Sequence, residues 1–412
     1  MKPHTTDICP NIDHPASLVV VDPGPCRNRN FSNVRSTLYP LFASVIVLTA
    51  TAHADDWPLA RGDTVGAGVA HTTLSDHLEV LWKYSADKDA AFDATPVVAN
   101  GVIYIGDSAG TFHAVRLADG KPVWTKQFAD SGFSAAAAYD NKLIYVGDVN
   151  GVAYCLDSAD GKKKWKQSLE GEVYAGPTPD GDNILFTCEA GTLTCLAKKD
   201  GKPKWSFRIE APLRCTPTIS GGHAMLAGCD SRLHLIDVTN GKEVASVPID
   251  APTGSTPAMH NQHVYFGTEG GTFFSIQVPA SPNKKPSVVW RYHDPQRSQP
   301  IRSAAAVTDR LVVFGSQSKA IYFLDPKTGG ELWKMPTTSR VESSPVIAGH
   351  RVVAATAAGK MYLFDADTHQ VKWQYDTGGG FTGSPAVVDG RIIVGNTDGA
   401  LYCFGSKKKE KN

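Results

Sequence analysis

Seven tryptophans, Trp82, Trp124, Trp165, Trp205, Trp290, Trp333 and Trp373, recur at steps of about 40 to 45 residues once one vacant place near Ala245 is allowed. A period of this size constrains the fold more than any other feature of the chain. Each copy is one small unit that cannot bury its own apolar face, so the copies must stack. The wording between the tryptophans repeats as well. Thr95-Pro-Val-Val-Ala-Asn-Gly-Val-Ile-Tyr-Ile-Gly106, Gly110-Thr-Phe-His-Ala-Val115 and Asp119-Gly-Lys-Pro-Val-Trp124 return as Asn141-Lys-Leu-Ile-Tyr-Val-Gly147, Gly151-Val-Ala-Tyr-Cys-Leu-Asp157 and Asp160-Gly-Lys-Lys-Lys-Trp165. Later copies open at Gly176-Pro177, Thr216-Pro217, Thr256-Pro257, Ala304-Ala305, Ser344-Pro345 and Ser384-Pro385, giving eight copies.

Within a copy, four short apolar runs are separated by turn signals such as Asn100-Gly101, Asp160-Gly161, Asp200-Gly201, Asn240-Gly241 and Asp389-Gly390. These dipeptides accept positive φ at little steric cost, so each copy reads as a four-stranded antiparallel meander. Radial stacking buries both faces of such sheets and leaves only short edges, which gives an all-β, eight-bladed β-propeller. The last copy, 384–404, supplies only three strands, and the 407–411 run (KKKEK) is too polar to be a fourth. Residues 79–84 (EVLWKY) carry a tryptophan with no three strands before it. The final blade is therefore expected to combine both ends of the chain.

The segment 38–50 (LYPLFASVIVLTA) is the single long apolar run, too short to span a bilayer as a helix and followed by Ala52-His53-Ala54. It reads as a secretory signal peptide cut after Ala54, with Val34 as the expected true start because 1–33 is too long for an ordinary n-region. The expected organisation is an extension and signal in 1–54, one propeller domain in 55–406 and a basic tail in 407–412. The mature protein is expected in the periplasm or outside the cell, without a transmembrane anchor.

The phrases Leu156-Asp-Ser-Ala-Asp-Gly161-Lys-Lys-Lys-Trp165 and Leu324-Asp-Pro-Lys-Thr-Gly329-Gly-Glu-Leu-Trp333 resemble the tryptophan-docking motif of the pyrroloquinoline-quinone (PQQ)-like repeat family of eight-bladed propellers. That resemblance implies that a small third-strand residue receives the neighbouring blade's indole, here at Ala114, Cys155, Cys195, Leu235, Ser275, Phe323, Leu363 and Cys403. The family holds two classes: dehydrogenases that carry PQQ and Ca²⁺ over the axis and oxidise alcohols or sugars, and a BamB-like branch that keeps the propeller without the cofactor and acts as a docking surface. The adjacent cysteine pair usual in the dehydrogenases is missing, and the one clear insertion is 278–287 (VPASPNKKPS). Both observations favour a protein-binding scaffold over a PQQ-dependent oxidoreductase, and no catalytic residue or cofactor is expected.

Residues two before each Thr-Pro or Ser-Pro start the innermost strands, which places Asp93, Phe133, Tyr174, Arg214, Gly254, Arg302, Glu342 and Thr382 around the axial mouth. The ring reads either as a solvated rim with internal ion pairs or as a mouth for an acidic ligand or a partner's side chains. Its two carboxylates are too few for Ca²⁺, so no metal is expected there. Cys215 and Cys229 flank one hairpin and are a candidate disulfide in an oxidising compartment, whereas Cys155, Cys195 and Cys403 read as buried slot fillers. With 41 basic and 41 acidic residues in 412, the chain has no electrostatic footprint for nucleic acid. A monomer with protein partners is expected. Gly106-Asp-Ser-Ala-Gly110 matches a nucleophile elbow, but it spans a hairpin and not a strand-to-helix turn, so Ser108 carries no catalysis. Trp57 reads as the anchor of an N-terminal arm on the ring.

Overall fold

The computed structural model describes residues 56–87, 89–279 and 284–407. The signal and cleavage site read in 1–54 and the tail beyond Lys407 lie outside them. No helix among the described residues is long and apolar enough to cross a membrane.

Eight four-stranded antiparallel sheets follow one another as blades, numbered here from the first complete copy. Blade 1 is Val97–Ala99, Val102–Gly106, Thr111–Arg116 and Pro122–Gln127, running from the innermost to the outermost strand. Six further blades repeat this order, ending with Val346–Ala348, Arg351–Ala355, Lys360–Asp365 and Val371–Asp376 of blade 7. Blade 8 takes Ala386–Val388, Arg391–Gly395 and Ala400–Gly405 from the end of the chain, and its outer strand is Glu79–Ser85. Trp82 lies opposite Cys403 in that pairing. The expected closure by both ends is present.

The turns explain why the repeat needs its glycines. At Asn100-Gly101 both φ values are positive, as a two-residue hairpin with the twist of its strands requires. The Asp160-Gly161 class differs, with φ of +68° at Gly161, whose amide reaches back to the Asp157 carbonyl. On these glycines the preceding blade's tryptophan is seated. A Cβ on Gly120, Gly161 or Gly201 would stand 2.7 Å from the ring of Trp82, Trp124 or Trp165. The indoles also donate to the same turns, Trp82 to the Leu117 carbonyl (3.0 Å), Trp124 to Ser158 (2.9 Å), Trp165 to Lys198 (2.8 Å) and Trp205 to Val238 (3.1 Å).

The slot residues sit elsewhere than the resemblance implies. Ala114, Cys155, Cys195, Ser275, Phe323 and Leu363 pair with the tryptophan of their own blade, and the neighbour's contribution is its turn. From that pairing the indole N–H reaches the turn of the next blade. Blade 4 has Ala245 opposite the larger Leu235, which moves side-chain bulk from one partner to the other.

The channel is not open. Residues 57–72 thread it, and six of the eight inner strands donate an amide to this arm: Val98 to Trp57, Tyr139 to Pro58, Ile219 to Thr64, Met259 to Val65, Val307 to Ala67 and Ile347 to Gly68. Blade 3 is passed over because its middle residue is Pro179, which has no N–H to give. Val69–Ala70 even pairs in parallel with Ile347 and Ala348, and Trp57 is 2% exposed.

Polar contacts also join blades. Asp294, which follows the outer strand of blade 5, accepts from the Tyr322 hydroxyl (2.5 Å), the Gln296 amide (2.9 Å) and Lys334 Nζ (3.2 Å) of or beside blade 6. Burial alone would raise its pKa, but these donors outweigh it and hold the carboxyl down at about 2. A depressed carboxyl stabilises the fold above its ordinary pKa, and that stability is lost as pH falls through about 2. Asp294→Asn is therefore expected to remove on the order of 2 kcal/mol of pH dependence between about pH 4 and 2. Urea midpoints of both proteins across that range measure it, and parallel curves would refute the assignment.

Candidate functional site

Where each inner strand begins, the chain alternates one buried and one accessible residue, and this alternation builds the axial mouth. Phe92, Phe133, Val173, Leu213, Thr253, Ile301, Val341 and Phe381 form the buried set, none above 4% exposed. Glycines that end second strands make room for them: a Cβ on Gly106 would meet Phe133 at 2.3 Å, and one on Gly147 would meet Val173 at 2.5 Å. The accessible set follows one residue later.

Asp93, Tyr174, Arg214, Gly254, Arg302 and Thr382, expected at the mouth, do line one axial cavity. Phe133 does not. It is fully buried against Gly106 and Phe112, and Ser134 takes its place in the lining. Glu342 stands just behind the rim, 3.6 Å from Arg302 Nη1, and accepts from Gln317 Nε2 at 2.7 Å. Thr382 Oγ1 donates to Asp93 at 2.8 Å across the join between blades 8 and 1.

The rim arginines are held by carboxylates that sequence reading passed over. Arg214 Nε donates to Glu189 at 2.8 Å and its Nη2 to the other oxygen, a bidentate pair. Arg302 grips Glu269 through Nε at 2.8 Å and Nη2 at 3.1 Å. Both hydrogen-bonded pairs raise the arginine pKa further, so both guanidinium groups stay charged. Glu189 and Glu269 occupy the same repeat place, two residues after the second strand, where the amide bonds the preceding lead-in carbonyl at Glu172 or Pro252. Aligning that place across the copies finds them. Both arginine side chains are about half exposed, so the pairs set geometry more than they add stability.

Deeper in, the cavity measures about 170 Å³ and is lined by Ala60 and Arg61 of the arm and by Thr95, Thr216, Thr256, Ser344 and Ser384. Arg61 is 5% exposed and donates to the carbonyls of Ala305 (2.9 Å) and Pro345 (2.7 Å). Among the described residues no three His, Cys, Asp or Glu side chains converge as a metal site.

The cysteines remain separate. Cys215 and Cys229, the candidate disulfide, are free thiols here, because the Cys229 sulfur turns toward the Thr253 carbonyl (3.6 Å) in the next lead-in. Burial pushes the Cys215 thiol up to about 12. Cys155, Cys195 and Cys403 are fully buried, in the slots expected of them. Ser108 accepts the Ala91 amide at 2.8 Å as a turn residue.

Comparison with known proteins agrees with this architecture. A family model described as outer membrane protein assembly factor BamB matches residues 110–285 and 283–408. The crystal structure of BamB from Moraxella catarrhalis superposes with a TM-score of 0.70 at 16% identity, covering 80% of this chain and all of that one. Quinohemoprotein alcohol dehydrogenase from Comamonas testosteroni superposes with the same TM-score at 15% identity, covering 87% of this chain and 82% of that structure. By sequence, a quinohemoprotein alcohol dehydrogenase of Comamonas testosteroni is 30% identical over 84 residues, 18% of this chain and only 11% of that protein's length. At such identities the superpositions establish the fold alone. The family match covers well over half the chain, and with the eight closed blades and their docked tryptophans it makes this protein a member of the outer membrane protein assembly factor BamB family of PQQ-like repeat propellers.

Proposed function

We propose that this protein is an exported, non-enzymatic scaffold that binds protein partners through the ring face around Arg214 and Arg302. The observation that carries this reading is the size of the axial cavity. At about 170 Å³ it falls below the roughly 300 to 1,000 Å³ of small-molecule and cofactor sites. A tricyclic quinone with calcium does not fit there: Asp93 is the one carboxylate in the lining, and Ca²⁺ takes six to eight oxygens. What the face does offer is charge held at fixed positions by Glu189 and Glu269 around the exposed Tyr174, a mixture suited to a partner's surface. Export rests on the 38–50 apolar run and the Ala52-His53-Ala54 site.

Charge reversal at Arg214 and Arg302 tests the scaffold. The double Arg→Glu variant is expected to recover several-fold less partner in pull-downs from envelope extracts, with a melting temperature near that of the parent because both side chains are half exposed. Unchanged recovery would move the docking surface off this face. The local likeness to a quinohemoprotein alcohol dehydrogenase supports a second reading, a PQQ-dependent oxidoreductase. Titration with PQQ and Ca²⁺, followed by tryptophan fluorescence, separates the two. The scaffold reading expects no saturable quenching, and micromolar quenching lost in Arg214→Ala or Arg302→Ala would establish the dehydrogenase instead.

A further inference from the structure

Arg61 is a buried cation without a counter-ion. Among the described residues no carboxylate lies within ion-pair distance of it, and its Nε has no hydrogen-bond partner although the side chain is 95% or more buried. The nearest acid in sequence, Asp63, instead accepts the Gly66 amide at 2.8 Å. Burial, only partly offset by Asp63, lowers the Arg61 pKa to about 10. A charge removed from water in this way is costly unless something opposite in sign faces it.

Arg61 lines a cavity whose hydroxyl groups have protons to give. Four hydroxyl oxygens in its lining already accept backbone amides: Thr95 from Ser384 (2.9 Å), Thr256 from Thr216 (3.1 Å), Ser344 from Ala304 (3.0 Å) and Ser384 from Ser344 (2.9 Å). Each of the four keeps its proton free alongside one remaining lone pair, and none of them donates to any other described residue. The lining carries three guanidinium groups, of which Arg214 and Arg302 are paired with carboxylates and Arg61 is not, and the carboxylate of Asp93 in the lining is already occupied by the Thr382 hydroxyl. Glu189 and Glu269, which hold the rim arginines, are outside the lining.

We propose that the axial cavity is a binding site for one small anionic group, a carboxylate or an oxyanion, held by Arg61 and by the ring of Thr95, Thr256, Ser344 and Ser384 hydroxyls. The volume of about 170 Å³ accommodates a formate, an acetate or a phosphate but not a polycyclic cofactor. Arg214 and Arg302, half exposed and paired with Glu189 and Glu269, frame the entrance. The group has two possible sources: a free small anion, or the acidic side chain or C-terminus of a bound partner. The inference does not depend on the scaffold reading, since a free anion needs no partner.

The test is the melting temperature of the full chain during titration with sodium acetate and with inorganic phosphate, chloride being exchanged out at constant ionic strength so that screening stays fixed. The expected result is a saturable rise with either anion that Arg61→Gln abolishes. Should Arg61→Gln fail to fold, the Thr256→Val and Thr95→Val variants serve, each expected to raise the half-saturating concentration several-fold. A second arm adds a short peptide ending in Glu, beside its amidated Gln counterpart. Competition between the acidic peptide and acetate identifies a partner's carboxylate as the occupant. Acetate or phosphate binding that the peptide leaves unchanged identifies a free anion. No saturable response to acetate, phosphate or peptide overturns the proposal, as does a response of equal strength in Arg61→Gln or, where that variant does not fold, in both substitutes. Because no partner capture is read, failure here leaves the pull-down result to stand or fall separately.

Discussion

Deleting residues 75–84 is expected to lower the melting temperature by more than about 10 °C, or to remove the cooperative transition altogether. Blade 8 would lose its outer strand and with it the pairing of Glu79–Ser85 to Ala400–Gly405. Two contacts across the join with blade 1 would go too, the Trp82 bond to the Leu117 carbonyl and the 2.9 Å bond of the Tyr84 hydroxyl to His113 Nδ1. His113 in turn bonds the fully buried Asp107 at 2.9 Å, so the damage would reach into blade 1. Trp82→Ala alone is expected to cost about 3 kcal/mol. Trp373→Ala should cost less, because blade 8 has no third-to-outer turn for that indole to bond; its neighbour is Phe404, edge-on at 5.2 Å. Thermal unfolding followed by circular dichroism measures all three. An unchanged transition in the deletion would disprove closure by both ends.

Gly201→Ala should be nearly as damaging as a core truncation. The residue has φ of +73°, and the added carbon would press within 2.7 Å of the Trp165 ring, which is itself 8% exposed. Strain from the backbone conformation contributes about 1 to 2 kcal/mol and the overpacking about as much again, so a loss of about 3 kcal/mol is expected. Gly221→Ala is the control, since φ is +57° there but nothing lies within 4 Å of the new carbon. It should lose about 1 kcal/mol, the backbone share alone. Urea denaturation of the two variants separates the parts, and equal losses would mean that the indole seat plays no role.

The ring and its closure were legible because they depend on counting: apolar runs, turn dipeptides and tryptophans recur at one spacing, and a three-stranded remainder at one end matches a single strand at the other. Register inside a featureless stretch was not. In Ala135-Ala136-Ala137-Ala138 no residue marks the start of the inner strand, which is why Phe133 was placed at the mouth and Ser134 missed. The arm through the channel was legible only at Trp57, where a large side chain needs a place to be buried. Its remaining bonds run from backbone to backbone, and such bonds impose no residue type except at Pro179, where they exclude themselves. Nothing in the sequence marks Arg61, since only the fold brings the Ala305 and Pro345 carbonyls to its guanidinium.

The arm also fixes an order of events. Its bonding partners lie between about 40 and 280 residues further along the chain, and the closing strand Glu79–Ser85 must wait for Ala400–Gly405. A segment synthesised first therefore reaches its place last, and a ring of such long-range contacts closes slowly. Until the final strand has been made, the chain has no complete channel to hold its beginning. A polypeptide whose ring closes only with its last blade stays without its full set of long-range contacts until that blade has been made.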